Sequence, residues 1–593
     1  MKERIVIANA SGFWGDEAAA VRRQIEGGRI DYLTGDYLAE ITMIILARQM
    51  QKDPQAGYAR DFVQSLSDML GRIAEKGITV ITNAGGMNPR ACAEALEVQI
   101  AAQGLDLPVA VIDGDDLMPR LPEMLAGGCP FAHLDTGESM AGVADRVISA
   151  NAYLGAQPIV AALSQGARIV VTGRTYDAAS VVAPIVHEFG WSWEDYDRLA
   201  AGLLAGHLIE CGAQSTGGNY SLWREVPSYT NMGYPLVEVL PDGTFYLTKH
   251  PGTGGLVNIR TAKEQILYEI GDPRLYMSPD VIADFTSFSI EAAGPDRVMI
   301  KGVRGQAPPP NLKVSVTYSA GYKVAAMLVV SGPDVLAKAQ AFAEMFWERV
   351  GSDFDEKRTD FVGYSACWGE SAAPPTNPNE IILRFAARDR EKSPLVKMSR
   401  EIAGLILAGP PGVTVFGGRP QVQPAYGFWP ALIPRHLVTA RLLFKGCETL
   451  FNCGDGRFHE PVTIEFPSFP SVAAGGEKVR VPLSRVAHAR SGDKGDLSNI
   501  GVAALDSMFY PELVRELTPE RIADYFKTNV HGPVSRYRLD NIKALNFVLH
   551  HALDGGGTVS LLLDNQGKTL SQALLNMPVE IHKELLSESA GRN

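Results

Sequence analysis

The sequence predicts an α/β fold: a doubly wound, mostly parallel sheet in the N-terminal part, an α+β middle region, and a small two-layer α+β C-terminal domain. Three observations lead there. Over roughly the first third of the chain, short β-branched runs alternate with longer helical stretches, the pattern of a parallel sheet covered by helices. Each run ends in glycine and polar residues, and in an open parallel sheet such loops share one edge. A chain of 593 residues also exceeds what one hydrophobic core serves, so several units are expected. The divisions are placed at residues 1–219, 220–467 and 479–585.

Strands are expected over Arg4 to Ala8, Ile78 to Thr82, Val109 to Asp113 and Arg168 to Thr172. Helical spacing covers Asp16 to Gly27 and Tyr58 to Lys76, and Tyr37 to Gln51 is apolar enough to predict an almost fully buried helix. Another helix runs from Asp195 to Cys211 and stops at Gly212. Hairpins follow from about Tyr220, with Pro241-Asp242-Gly243-Thr244 as a turn. The middle region holds strands at Lys313 to Tyr318, Ala325 to Val330 and Glu380 to Ala387, with helices at Pro333 to Val350 and Ser393 to Ala408. Ser468 to Lys478 is expected to be a linker. Beyond it, strands are placed near Val486, Ile500, Tyr537 and Val559, and helices over Leu513 to Thr528 and Ala544 to Leu553.

Composition narrows the function. The formal charge of -12 with no basic run argues against a nucleic-acid partner. No segment has the roughly 20 continuous apolar residues that span a bilayer, and the start runs straight into a strand without a signal-peptide pattern. No membrane partner and a cytoplasmic location are therefore expected, with homo-oligomerisation as the common state of soluble proteins. The six cysteines form no C-x-x-C pair, so structural zinc and disulfides are not expected. The spacings of a Walker loop and of a dinucleotide-binding glycine loop are both absent, leaving ATP hydrolysis and nicotinamide chemistry without support.

Candidate site residues come from the strand-end loops. Gly15 and Asp16, then Asn83, Gly85 and Gly86, then Asp113, and finally Gly173, Arg174 and Asp177 stand where ligands bind an open sheet. Arg174 can grip a carboxylate with two hydrogen bonds, or can brace its own turn by pairing with Asp177. His207, Glu210 and Cys211 share one helical face. The helix C-terminus disfavours a Cys211 thiolate, so ligand-shaping by Glu210, Gln214, Thr216 and Asn219 is preferred to a nucleophile or a metal pair. His133 lies near Asp135 and Glu138 in sequence, the ingredients of acid/base catalysis. Asp36 and Glu40 are read as one helical turn apart on a buried helix, where acids are unexpected unless paired or functional. The glycines of Lys249 to Gly255 suit a phosphate or a pantetheine arm.

The densest patterning is Ala487-His488-Ala489-Arg490-Ser491-Gly492-Asp493-Lys494-Gly495-Asp496-Leu497-Ser498-Asn499-Ile500-Gly501-Val502, read as a ligand loop in which Arg490, Ser491 and Lys494 meet an anion. With Ala544 to Leu549 and Gly555-Gly556-Gly557 it closely resembles the C-terminal domain of the acyclic terpene utilisation AtuA family. Asn83 to Gly86, Val171 to Arg174 and Gly206 to Gln214 resemble that family's large domain. The resemblance implies breakdown of branched acyclic terpenoid acids as coenzyme A thioesters. The residues then suggest non-redox acid/base chemistry, hydration, dehydration or hydrolysis, with His133, Asp36 and Glu210 as catalytic candidates. The ligand is expected to be an acyl-CoA or a carboxylate, with no cofactor beyond the coenzyme A of the substrate. The alternative is a non-catalytic acyl-CoA binding or assembly protein of the same pathway.

Overall fold

The computed structural model describes residues 2–364, 366–371, 378–454, 456–457, 476–557 and 559–590. Its centre is a parallel array of β1 (Ile5–Asn9), β2 (Tyr32–Gly35), β3 (Thr79–Thr82) and β4 (Val109–Asp113), with β6 (Ile169–Thr172) inserted between β3 and β4. Antiparallel strands extend both edges, including β7 (Pro235–Val239) beside β1 and β8 (Phe245–Lys249) beside β7. The sheet alternates by residue between two cores. Ile5, Ile7, Ile112 and Val170 face one, while Val6, Ala8, Val111 and Val171 face the other. The helices Ala19–Glu26 and Pro89–Ala102 cover the second face, and Ala179–Phe189 and Tyr196–Ile209 cover the first. This is the doubly wound arrangement.

A second sheet is built on a single long strand, Asn311–Ser331, where two strands were expected. A register shift between Ser319 and Tyr322 marks the Ala320-Gly321 irregularity that broke the sequence pattern. Its first half pairs with β5 (Val147–Ala152), and its second half pairs with Glu380–Asp389. Helices Val335–Val350 and Lys392–Leu405 cover one side of this sheet through Phe342, Phe346 and Met398.

The C-terminal unit has a four-stranded antiparallel sheet in the order Ala487–Lys494, Leu497–Ala504, Ala544–Leu549, Val534–Leu539. Short helices Tyr510–Glu516 and Pro519–Tyr525 stand where one longer helix was expected, separated at Thr518-Pro519. Proline there can open a helix but not continue one.

Several other expectations change. Ala544–Leu549 is a strand rather than a helix; all six of its residues are buried, so no alternation revealed it. No strand forms at Val559, and Pro578–His582 is a strand. Tyr58 to Lys76 divides into Arg60–Ser67 and Leu70–Lys76. The helix expected over Tyr37 to Gln51 begins at Glu40 and exposes Ile41 and Ile45, so it is half-buried. The expected linker lies outside the described residues through 475, and Lys478 already opens a strand.

Candidate functional site

At the carboxyl edge of the parallel sheet, β2 ends in Asp36, which belongs to the strand-end turn and not to the following helix. Its Oδ1 accepts hydrogen bonds from Asn83 Nδ2 at 2.5 Å and from the Leu38 amide at 3.2 Å. Asn83 is itself fixed, since its Oδ1 accepts the Tyr37 amide at 2.8 Å. Arg174 follows β6. Its guanidinium bonds Asp177 Oδ1 at 2.7 Å and the Tyr153 hydroxyl at 2.9 Å, and stacks over the Tyr153 ring at 4.2 Å. The turn residue therefore braces its own loop, before a helix that begins only at Ala179. Tyr153 donates in turn to Glu40 at 3.3 Å, and Lys313, from the long strand, stands 3.8 Å from the same carboxylate.

The helix Tyr196–Ile209 delivers the other wall. Gly12, after β1, lies against its end so closely that a Cβ there would meet the Cys211 carbonyl carbon at 2.5 Å. His207 Nδ1 lies 3.1 Å from Glu210 Oε1 and 3.3 Å from the Tyr276 hydroxyl, and the Tyr276 ring stacks on Phe285. In the Nδ1–H tautomer His207 donates to Glu210, and the tautomer decides which of the pair carries the shared proton. His207 Nε2 and Gln214 Oε1 are buried and lack a hydrogen-bond partner.

The electrostatics are those of crowded carboxylates. Burial, then the charge of Asp177 and more weakly that of Glu210, holds Asp36 well above the ordinary carboxylate range, against the pull of Arg174 and Asn83. Burial raises Glu210 as well, with Asp177 adding to it and His207 opposing it. Cys211 is pushed up by burial and by Glu210 and Glu269, so its thiol stays protonated and is a poor nucleophile. Among the described residues no group of three or more His, Cys, Asp or Glu side chains is arranged to hold a metal.

The C-terminal unit completes this wall. The stretch read as a ligand loop is a hairpin of Ala487–Lys494 and Leu497–Ala504 turning at Gly495-Asp496. Arg490 is almost fully buried, donates to the Asn219 carbonyl at 2.5 Å and stacks on Tyr268 at 4.8 Å, while Ser491 Oγ accepts the Ser571 amide. Arg490 thus joins the two units and Ser491 braces the C-terminal unit from within, rather than facing an anion. Lys494, at the exposed end of the strand, makes no ion pair among the described residues, and its charge acts on Glu40, Glu210 and Glu269. Lys568 bonds Glu269 at 2.7 Å and Asp493 at 3.2 Å, and Glu269 adopts a positive φ of 54°. Asn499 and Asn546 clamp the same segment through the carbonyls of Leu267, Ile270 and Gly271.

The other sequence candidates lie elsewhere or serve the frame. His133 is used by its own turn: Nδ1 accepts the amides of Asp135 and Thr136, and the ring meets Trp429 edge-on at 4.8 Å. The charges acting on it are Asp135, Glu138 and Asp496, none from the group around Asp36. Asp16 accepts from the Gly12 amide and the Tyr234 hydroxyl, and Asp113 is held by Arg441 and Arg90. Gly15 is exposed at a positive φ, Gly85 and Gly86 lie against Thr172 and Leu46, and Gly173 abuts Asp115. Thr216 donates to the carbonyls of Ala213 and Gly233. Near Lys249, His250 Nε2 meets the Gln24 carbonyl under Gly27 and Gly28, which makes that loop a packed corner. Tyr153, Tyr276, Glu269, Lys313 and Lys568 were missed, because each comes from an apolar or unremarked segment that only the tertiary fold brings to the cleft.

Two charged walls from distant parts of the chain thus meet over one sheet edge. No curated protein matches the chain. The description that matches residues 481–580 is an AtuA ferredoxin-like domain, the segment that carries Lys494 and Lys568. Residues 5–444 match the family that supplies Asp36, Arg174 and Glu210, and the chain belongs to it: the acyclic terpene utilisation family, AtuA.

Proposed function

We propose that the cleft at Asp36 and Glu210 catalyses proton-transfer chemistry on a branched acyl-CoA or its free acid, within the acyclic terpene utilisation to which the family is tied. One observation supports it most: two recessed carboxylates, both raised by burial and by the same neighbour, Asp177. Groups that repel one another's ionisation separate into a protonated acid and an ionised base. In hydration of an α,β double bond, Glu210, oriented by His207, takes a proton from water. The hydroxyl joins the β-carbon and Asp36 gives its proton to the α-carbon. Hydrolysis of the thioester would use the same base and water. Arg174 is spent on Asp177 and Tyr153, so Lys494 takes the anionic end of the substrate. His133 has no part in this reading.

The test is turnover of a series of branched enoyl-CoA thioesters and the free acids. Asp36→Asn and Glu210→Gln should each lower kcat by about 10²–10⁴-fold, the range for losing a general acid or base, with ligand affinity kept. Saturable binding by the wild type without turnover of any substrate would make the protein a carrier of acyl-CoA intermediates.

A further inference from the structure

The helix Ile259–Ile266 lies in the seam between the units, packed against the strand Ser289–Ala292 and against both strands of the C-terminal hairpin. Asn258 caps it by accepting the Arg260 and Thr261 amides. Thr261, Ala262, Glu264 and Gln265 are buried, whereas Arg260 and Lys263, one turn apart on a shared face, are half-buried. From the C-terminal unit comes the turn before the strand Ala544–Leu549. There Asn541 bonds the carbonyls of Phe285 and Phe288, and Lys543 adopts a positive φ of 54°.

Lys263 is left without a counter-charge. Its ammonium makes no hydrogen bond or ion pair among the described residues, and the charges acting on it, Arg260 and Lys543, are both positive. The carboxylates of the surrounding elements are engaged elsewhere. Glu264 turns inward to the Ser221 amide and to His488 Nδ1 at 2.9 Å, and Glu225 holds Arg260 at 2.9 Å. Asp540 holds Arg538 and the Tyr510 hydroxyl, and Glu291 pairs with Lys301 at 3.3 Å. Burial, then Arg260 and Lys543, push the Lys263 ammonium down to about 8, so near neutral pH a sizeable fraction of this side chain is free amine. Lys568 is the opposite case, its proton held between Glu269 and Asp493.

We propose that Lys263 is a self-acylation site, whose amine takes the acyl group from an acyl-CoA thioester. The nitrogen lone pair attacks the thioester carbonyl carbon. An N–C bond forms as the C–S bond breaks, and the proton shed by nitrogen leaves with the sulfur as coenzyme A thiol. The product is a neutral amide, so acylation removes one of the three positive charges crowded in the seam. Arg260 and Lys543 act twice here: they favour the neutral, nucleophilic amine and they attract the phosphates of coenzyme A. The acyl donor is the class that the proposed function invokes, while the reactivity of Lys263 does not depend on the Asp36 cleft.

Incubation of the full-length protein with acetyl-CoA, followed by quantitative peptide mass spectrometry, tests it. At about pH 7.5, Lys263 should be acetylated at least about tenfold faster than the exposed Lys52 and Lys397, with Lys568 left unmodified. The rate at Lys263 should be half-maximal at a pH of about 8. Lys543→Asn removes one cation and puts in a residue type that accepts a positive φ, so it should slow acetylation of Lys263 about threefold or more. Arg260→Gln, which also frees the Glu225 carboxylate, should do the same and decides the matter if Lys543→Asn folds poorly. Acetylation of Lys263 no faster than that of Lys52 and Lys397, or an unchanged rate in the folded cation variants, overturns the proposal. Acetylation should proceed unchanged in Asp36→Asn and no turnover is read, so failure here is distinct from failure of the acid/base reading.

Discussion

Asp36 shows how much of a residue's role lies in what surrounds it. A carboxylate raised by burial and by Asp177 binds its proton more tightly folded than unfolded. Its favourable contribution is complete below the unfolded value, near 3.8, and is lost as the pH rises through the higher folded value. Asp36→Asn still accepts the Asn83 hydrogen bond but cannot ionise. Its melting temperature relative to wild type should therefore improve progressively as the pH is raised from 4 to 8, by differential scanning calorimetry; a gap that stays constant would show that Asp36 is not perturbed. The sequence exposed Asp36 as an acid in an apolar setting, and it exposed Glu210 through its helical neighbours. It left Arg174 with two readings, and the structure takes the brace: a side chain 3% exposed, paired to Asp177, has little left for a ligand. Nothing in one dimension marks Tyr153 or Lys313 as its companions, because cross-sheet adjacency is set by strand order.

At the scale of elements, the hairpin Ala487–Lys494 and Leu497–Ala504 is where expectation and structure diverge most usefully. Its glycines and charges suggested a loop around an anion, yet strand pairing continues through Lys494, and the glycines serve close packing. Gly492 lies against Tyr268 and Glu269, and a Cβ on Gly501 would fall 2.3 Å from Leu267 Cβ. Two backbones meet there with no room for a methyl group. Gly501→Ala should lower stability by about 1–3 kcal/mol, the usual cost of overpacking, and increase hydrogen exchange across residues 264–271. Leu267→Ala added to it should not recover the loss, because alanine keeps the Cβ that the new methyl group would meet. An unchanged melting temperature in the single variant would mean that the units dock less tightly than this. The strand Ala544–Leu549 was misread for a related reason: a segment buried on both faces has neither the period of a helix nor that of a half-exposed strand.

For the whole molecule, the joint between the units is an ionic one over the cleft. Lys568 stands between Glu269 and Asp493, with both ends of its bridge to Glu269 about a third open to solvent (35% and 29%). Lys568→Met should cost about 1–2 kcal/mol, since screening keeps the pair below the range of fully buried ones. Glu269, though opposed by burial, is held below its ordinary value by Lys568 and Lys494. Its stabilisation is thus present above its ordinary value of about 4.5 and fades as the pH falls through the lower folded value. Acid below about 4.5 should therefore weaken this bridge in wild type, and Lys568→Met should lose most of that sensitivity; an equal response in both proteins, by proteolysis of the joint between pH 3 and 4.5, would contradict this. The doubly wound core was legible because its strands and loops are local signals, whereas this joint links residues 299 apart. That separation also has a meaning in time. At about 5–20 residues per second, translation delivers Lys568 about 15–60 s after Glu269, so each new chain passes through an interval in which Glu269 exists without the cations that answer it.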